Sequence, residues 1–314
     1  MKNAPIALFV FNRPVHTRRT VEALLKNELA NESDLYIFSD APGSPETAEA
    51  VREVREYIKL ISGFRSVRIV EREKNLGLSN SIIEGVTSVI NEHGRIIVLE
   101  DDLVTSPQFL RFLNDALELY KLEDQVMHIS GSVYPIERLE IETFFLRVPL
   151  CWGWGTWDRA WRHFSKNNDV MLKFDRQMRS DFSFNNSYHY WEQLELNKKG
   201  VINTWFVYWY AALFLRGGLA LFPGRSLVKN IGFDGTGTHC GSSNFGNDVE
   251  PAVSGIRVAP IPLKESAEVV TRHEVFFRHD YRPSASFREK LFRNVILVLK
   301  RLILSIRSVL AVKK

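Results

Sequence analysis

Four short apolar runs, each followed at once by an amphipathic stretch, constrain the first part of this chain more than any other feature. The runs cover 5–11, 34–39, 67–71 and 95–99, the helical patterns after them cover 15–29, 46–61, 78–92 and 107–121, and a fifth run spans 126–130. Apolar strands alternating with helices predict the α/β class: a Rossmann-like mixed sheet flanked by helices. Open sheets of this kind take ligands in the crevice at the carboxyl ends of their strands. That rule singles out Asn12-Arg13-Pro14, Ser39-Asp40-Ala41, Asn75-Leu76-Gly77 and Glu100-Asp101-Asp102.

Beyond Ser130 the character changes to longer loops and many aromatics. All seven tryptophans fall between Trp152 and Trp209. No internal repeat, low-complexity segment or long Pro/Gly-rich linker separates this part from the first. Residues 1–130 and 131–286 are therefore expected to form two halves of one domain that share a cleft.

The net charge of +4 is unevenly placed, because 287–314 holds eight Lys or Arg against a single Glu. The remainder is mildly acidic, which argues against nucleic acid as a partner, since that needs a basic stripe on the folded body. The terminal segment has a helical period. Arg293, Lys300, Arg301 and Arg307 fall on one side, with Leu291, Val295, Val298, Leu302, Ile306 and Val309 on the other. Basic residues interrupt it too often for a membrane span, so a basic amphipathic helix lying on an anionic membrane surface is expected. Packing on the body or on a partner chain is the alternative. Cys151 and Cys240 are too few for a disulfide framework, and no secretion signal precedes the first strand. Together these features predict a cytoplasmic protein peripherally bound to the inner face of the membrane.

Arg95 to Leu99 delivers three adjacent carboxylates, Glu100, Asp101 and Asp102, to the sheet edge. Such crowding is unfavourable without a cation, and a divalent ion both removes the repulsion and suits hard oxygen ligands. The competing account is a solvated acidic turn at the start of the following helix.

The order Phe-Val-Phe-Asn-Arg-Pro (9–14), Ser39-Asp40, Asn75-Leu76-Gly77-Leu78-Ser79 and Val98-Leu99-Glu100-Asp101-Asp102 resembles bacterial family 2 glycosyltransferases of the GT-A fold. It is also similar to the N-acetylglucosaminyltransferase I group, whose metal motif is likewise Glu-Asp-Asp. The likeness continues through Cys151 to Trp157 and Leu227 to Phe233, covering roughly residues 4 to 245. It implies a nucleotide-sugar-binding half, an acceptor-binding half, and transfer of a hexosyl or N-acetylhexosaminyl group from a UDP-sugar with inversion. The acceptor would be a glycan or lipid-linked saccharide in polysaccharide biosynthesis.

On this resemblance Asp102 is the direct ligand of Mn2+ or Mg2+, and the metal offsets charge on the departing diphosphate. Glu100 and Asp101 reach ribose or sugar hydroxyls, or hold the ion through water. Asn12 and Arg13 sit beside the nucleotide, Asp40 holds base or ribose, and Asn75 and Gly77 pass close to the diphosphate. For Asn12 and Asn75 a turn or helix cap is an equally open role.

Trp152-Gly153-Trp154-Gly155-Thr156-Trp157 places large rings between glycines. Trp152, Trp154 and Gly155 are expected to contact donor sugar or acceptor, against an aromatic core as the alternative. Trp161 and Trp209 are expected in the core. Gly232 to His239 reads as a closing loop with Gly235 and Gly237 as hinges and His239 as a metal ligand or diphosphate contact, against a structural or solvated histidine as the alternative. An inverting transfer needs a base, and relatives often carry an Asp within the stretch matching Asn203 to Trp209, which has none here. Glu192 and Asp158 are the candidates. Two other readings compete: a sugar nucleotidyltransferase, which should show a Gly-rich basic loop after the first strand, and a catalytically silent glycan-binding or scaffold protein.

Overall fold

The computed structural model describes residues 2–136, 140–235, 251–252 and 255–279. In chain order the first half runs β1 (Ile6–Val10), α1 (Pro14–Leu25), β2 (Asp34–Ser39), α2 (Pro45–Ile58), β3 (Ser66–Glu71), α3 (Gly77–His93), β4 (Arg95–Glu100), β5 (Leu103–Thr105), α4 (Phe109–Leu119) and β6 (Val126–Ser130). The second half continues with β7 (Thr143–Leu146), β8 (Trp154–Trp157), α5 (Asp158–Trp161), α6 (Arg176–Phe182), α7 (Tyr190–Lys198), α8 (Phe206–Phe214), β9 (Leu219–Pro223), β10 (Val228–Asn230) and α9 (Ala267–His279).

Eight strands form one mixed sheet in the order β3-β2-β1-β4-β8-β6-β9-β7. The sheet is flanked by helices, consistent with the GT-A fold. All five apolar runs are strands of this sheet, and the four amphipathic stretches are helices, α3 one residue longer at each end than expected and the other three shortened by a few residues at one or both ends. Prolines set two of the starts: Pro14 and Pro45 occupy the first helical position, where a missing N–H costs nothing. Before α2, the Ser44 N–H donates to the Thr47 hydroxyl at 3.2 Å. At the other end of α3, Gly94 takes φ +75°, the left-handed turn that stops the helix.

Strand β1 is buried on both faces. Ile6, Leu8 and Val10 join a core with α1 and α4, while Ala7 and Phe9 join one with α3 on the other side. A third, strongly aromatic core lies under the second half, where Phe144, Phe182, Tyr190, Tyr210 and Phe222 pack with α9.

The sequence left the second half without strands, and here the structure differs. Strand β8 inserts antiparallel between β4 and β6, pairing Trp154 with Val98 and Trp157 with Arg95. Its alternating glycines hide it: Gly155 sits where a Cβ would lie 3.1 Å from the Ile96 carbonyl oxygen. The sheet thus runs without interruption from the first half into the second. Separately, β10 pairs antiparallel with β5, setting Asn230 opposite Leu103. That small ribbon lays the segment after β10 over the turn after β4. The basic segment 287–314 lies outside the described residues, and no helix among the described residues is long and apolar enough to cross a membrane.

Candidate active site

Parallel pairing sets Phe9 of β1 opposite Glu100 of β4, so the acidic turn opens beside the start of α1. Asp101 and Asp102 are buried, at 4% and 7% exposure. Their backbone is pinned from two sides: the Thr20 hydroxyl donates to the Asp101 carbonyl at 2.8 Å, and the Ile231 N–H donates to the Asp102 carbonyl at 2.9 Å. Arg13 supplies the countercharge. Its Nη2 donates to Asp102 Oδ2 at 3.0 Å and also to Asp101 Oδ1, while its buried Nη1 has no hydrogen-bond partner among the described residues.

Gly232 closes the turn from above. A Cβ there would lie 2.1 Å from Asp102 Oδ2 and 3.2 Å from Arg13 Nη1, so only glycine lets the backbone come this close. The Asn230 side chain fixes that approach by accepting from the Gly232 N–H at 2.8 Å. One residue further on, Phe233 meets Trp152 edge to face at 5.6 Å, and Asp234 Oδ2 lies 3.1 Å from His16 Nε2.

Burial and mutual repulsion shape the charges of this turn. Glu100 is pushed up to about 8, first by burial and then by Asp102 and Asp101. Asp101 is pushed up to about 6 by burial, with Arg13 pulling the other way. Burial alone would lower the Arg13 guanidinium; pairing with Asp101 and Asp102 outweighs it and holds the group above its usual value.

The second strand end is organised around Asp40. Its carboxylate accepts from the N–H groups of Ala41 and Leu76 at 2.9 Å and of Gly77 at 2.9 Å, while Asn75 Nδ2 donates to the Ala41 carbonyl at 2.7 Å. For Asn75 this is a turn contact, made in the loop that passes the crevice. Asp40 itself is spent on capping α3 and shaping the loop that passes the crevice. Asn12, half-buried, ends β1 next to Arg13.

The Trp-Gly run divides. Trp152 stays partly exposed at the entrance to β8, beside Phe233 and Tyr134. Trp154, expected to touch sugar, is 1% exposed and stacked on both His128 and Trp205. Neither face of its ring is left for a ligand. Gly155, also expected at the ligand, pairs with Ile97 and Ile129 inside the sheet. Both are displaced from the crevice because β8 became a central strand. Trp161 and Trp209 are buried, as the sequence predicts.

The two base candidates also separate. Asp158 follows β8 at the edge opposite the acidic turn, since β8 runs antiparallel to β4; its N–H donates to the Gly94 carbonyl and its carboxylate pairs with Arg162. The structure does not bring it to the crevice. Glu192 is exposed on α7, and its carboxylate lies 3.1 Å from His189 Nδ1, a contact that holds it below the usual carboxylate range. His239 and Gly237 lie outside the described residues, whereas Gly235 takes φ +89°.

Sequence reasoning missed His16 and Thr20, and placed Gly232 and Asp234 in a closing loop without their contacts at the acidic turn. A signal existed for the first two: Arg13, His16, Thr17 and Thr20 stand at i, i+3, i+4 and i+7 on one face of α1. The other two come from a pairing of β10 with β5 that no local pattern announces.

Could this turn hold a metal? Among the described residues no three His, Cys, Asp or Glu side chains are arranged to hold a cation by themselves. Asp101 and Asp102 nevertheless offer paired hard oxygens. That donor set fits Mg2+ or Mn2+ when substrate oxygens and water complete the shell.

A mixed α/β sheet with a carboxylate turn at the carboxyl edge of β4 is consistent with the GT-A class. The profile of "Glycosyl transferase family 2" matches residues 6–219, and the chain belongs to that family. No curated protein matches the chain. Among solved structures, S. aureus TarS is similar at 14% identity over 45% of this chain and 24% of its own, with TM-score 0.31. The chain therefore spans about a quarter of TarS. The mannosyltransferase PcManGT from Pyrobaculum calidifontis, in complex with GDP-Man and Mn2+, is similar at 8% identity over 68% of this chain and 69% of its own, with TM-score 0.35. TarS 1–349 in complex with UDP-GlcNAc is similar at 10% identity over 43% of this chain and 35% of its own, with TM-score 0.28.

Proposed function

We propose that this family 2 glycosyltransferase moves a hexosyl or N-acetylhexosaminyl group from a UDP-sugar to a glycan or lipid-linked acceptor, with inversion. The observation that supports it best is the buried acidic turn after β4, enclosed by Arg13 and Gly232. Asp102, with Asp101, would hold Mn2+ or Mg2+, which supplies charge for the departing diphosphate. The remaining work falls to the protein. Arg13 and the start of α1 receive phosphate, the Asp40-shaped loop borders the nucleoside, and Glu100, whose carboxyl burial and the neighbouring aspartates push above its ordinary value, reaches a ribose or sugar hydroxyl.

Trp152 and Phe233 form an aromatic wall suited to a sugar face, and Gly235, with its left-handed backbone, is the hinge proposed for loop closure. Glu192, kept ionised by His189, is the base proposed for the acceptor hydroxyl. His239 remains a proposed second metal ligand. The finer kinship with the N-acetylglucosaminyltransferase I group rests on the Glu-Asp-Asp motif. Calorimetry with a panel of nucleoside diphosphates, with and without Mn2+, tests the reading on wild type and Asp102→Ala. Metal-dependent binding of UDP that is lost in Asp102→Ala is expected; metal-independent binding, or none, defeats it.

A further inference from the structure

We infer that Arg13 is an internal counter-cation, exchanged during donor binding: it holds Asp101 and Asp102 in the free protein and releases them to take the diphosphate. The nucleotide half of this inference rests on the function proposed above.

A single guanidinium nitrogen is shared between the two aspartates, with Asp102 Oδ2 at 3.0 Å. The other terminal nitrogen, Nη1, is buried beneath Gly232 and has no hydrogen-bond partner among the described residues. A guanidinium is built to donate through both terminal nitrogens to one anion. Here it is committed by half to two carboxylates, and the buried donor left over carries a desolvation cost. A divalent ion on these two carboxylates would stand within a few ångströms of the guanidinium that already neutralises them, so the two cations compete for one pair of charges. Metal alone binds against that repulsion, which falls when Arg13 swings away from the aspartates.

A nucleoside diphosphate changes the balance, because its phosphate oxygens give the guanidinium a bidentate anionic partner. The backbone of Arg13 can stay in place while this happens. Its carbonyl accepts from both the N–H and the hydroxyl of Thr17 at 2.9 Å, so exchange needs side-chain motion only. Metal and nucleotide are then linked by positive coupling, and linkage makes that coupling reciprocal.

The test is an electron paramagnetic resonance titration of Mn2+ into the full chain, with and without UDP, on wild type, Arg13→Gln and Arg13→Lys. Circular dichroism verifies that each variant is folded, and Arg13→Lys retains a cation should the neutral variant fail to fold. Arg13→Gln should bind Mn2+ alone about tenfold more tightly than wild type, while the gain conferred by UDP shrinks by a similar factor. Arg13→Lys, a point charge without the fork, should fall between. An Mn2+ affinity in Arg13→Gln equal to or weaker than that of wild type, with UDP still bound by wild type, overturns the exchange alone. Failure of wild type to bind UDP at all overturns the glycosyltransferase reading of the site instead.

Discussion

At the residue scale the active turn is governed by close approach. Gly232 stands over Asp102 with no room for a methyl group, and the neighbouring Asn230 amide and Ile231 N–H hold it there. Asp102 cannot swing aside, because Oδ2 is held by Arg13. Gly232→Ala must therefore lift the segment or break the ion pair. Chemical denaturation should show a loss of about 1–3 kcal/mol, the usual cost of overpacking, and an unchanged midpoint would show that the contact is slack. The acidic residues were readable one by one in the sequence. Their partners were less so: Arg13 was assigned to the nucleotide, and the structure additionally bonds it to both aspartates.

At the scale of elements, β8 decides most. Its sequence alternates Trp with Gly, which mimics an aromatic ligand loop, and only its place between β4 and β6 identifies it as a strand. Trp154 is consequently a core side chain, packed between His128 and Trp205 and near Trp161 and Trp209. Trp154→Ala should destabilise the fold by about 3–5 kcal/mol through lost burial and a residual cavity. Thermal unfolding would read this; a folded variant of full stability with weakened sugar binding would return Trp154 to the ligand. Helices α1 and α3 were legible because proline, glycine and the 3.6-residue period act locally. The β5–β10 ribbon was not, since its two strands of three residues lie more than a hundred positions apart.

At the scale of the whole molecule, two buried histidines tie stability to pH. His128 accepts from Trp209 Nε1 at Nδ1, leaving Nε2 to donate to the Leu150 carbonyl at 3.1 Å, and burial pushes it down to about 3. His273 is pushed down to about 4 by burial in the aromatic core, its Nδ1 donating to the Val269 carbonyl. Both stay neutral in the fold, while the unfolded chain protonates them near 6.5. The unfolded state thus binds more protons below that pH. The share of stability that these two groups carry is full above it and falls as the solution is acidified, by up to about 1.4 kcal/mol per pH unit for each, while Glu100 and Asp101, raised in the fold, act in the opposite sense. Urea unfolding at about pH 7 and about pH 5 measures the slope, which His273→Leu should reduce; an equal slope in both proteins would remove His273 from the account. The terminal segment belongs to this scale too. Deletion after Ser286 should release the protein from anionic vesicles in a flotation assay, and undiminished binding would count against a membrane role.

The sequence by itself determined the α/β plan, five strands, four helices and the position of the acidic turn, because periodicity, prolines, glycines and charge crowding act over a few residues. Only the tertiary structure decided what that turn touches. The partnership of Arg13 with both aspartates, the glycine pressed onto Asp102, the burial of Trp154 and the removal of Asp158 to the far edge all follow from strand order and long-range pairing. Those depend on how the whole chain buries its apolar surface, and no local pattern encodes them.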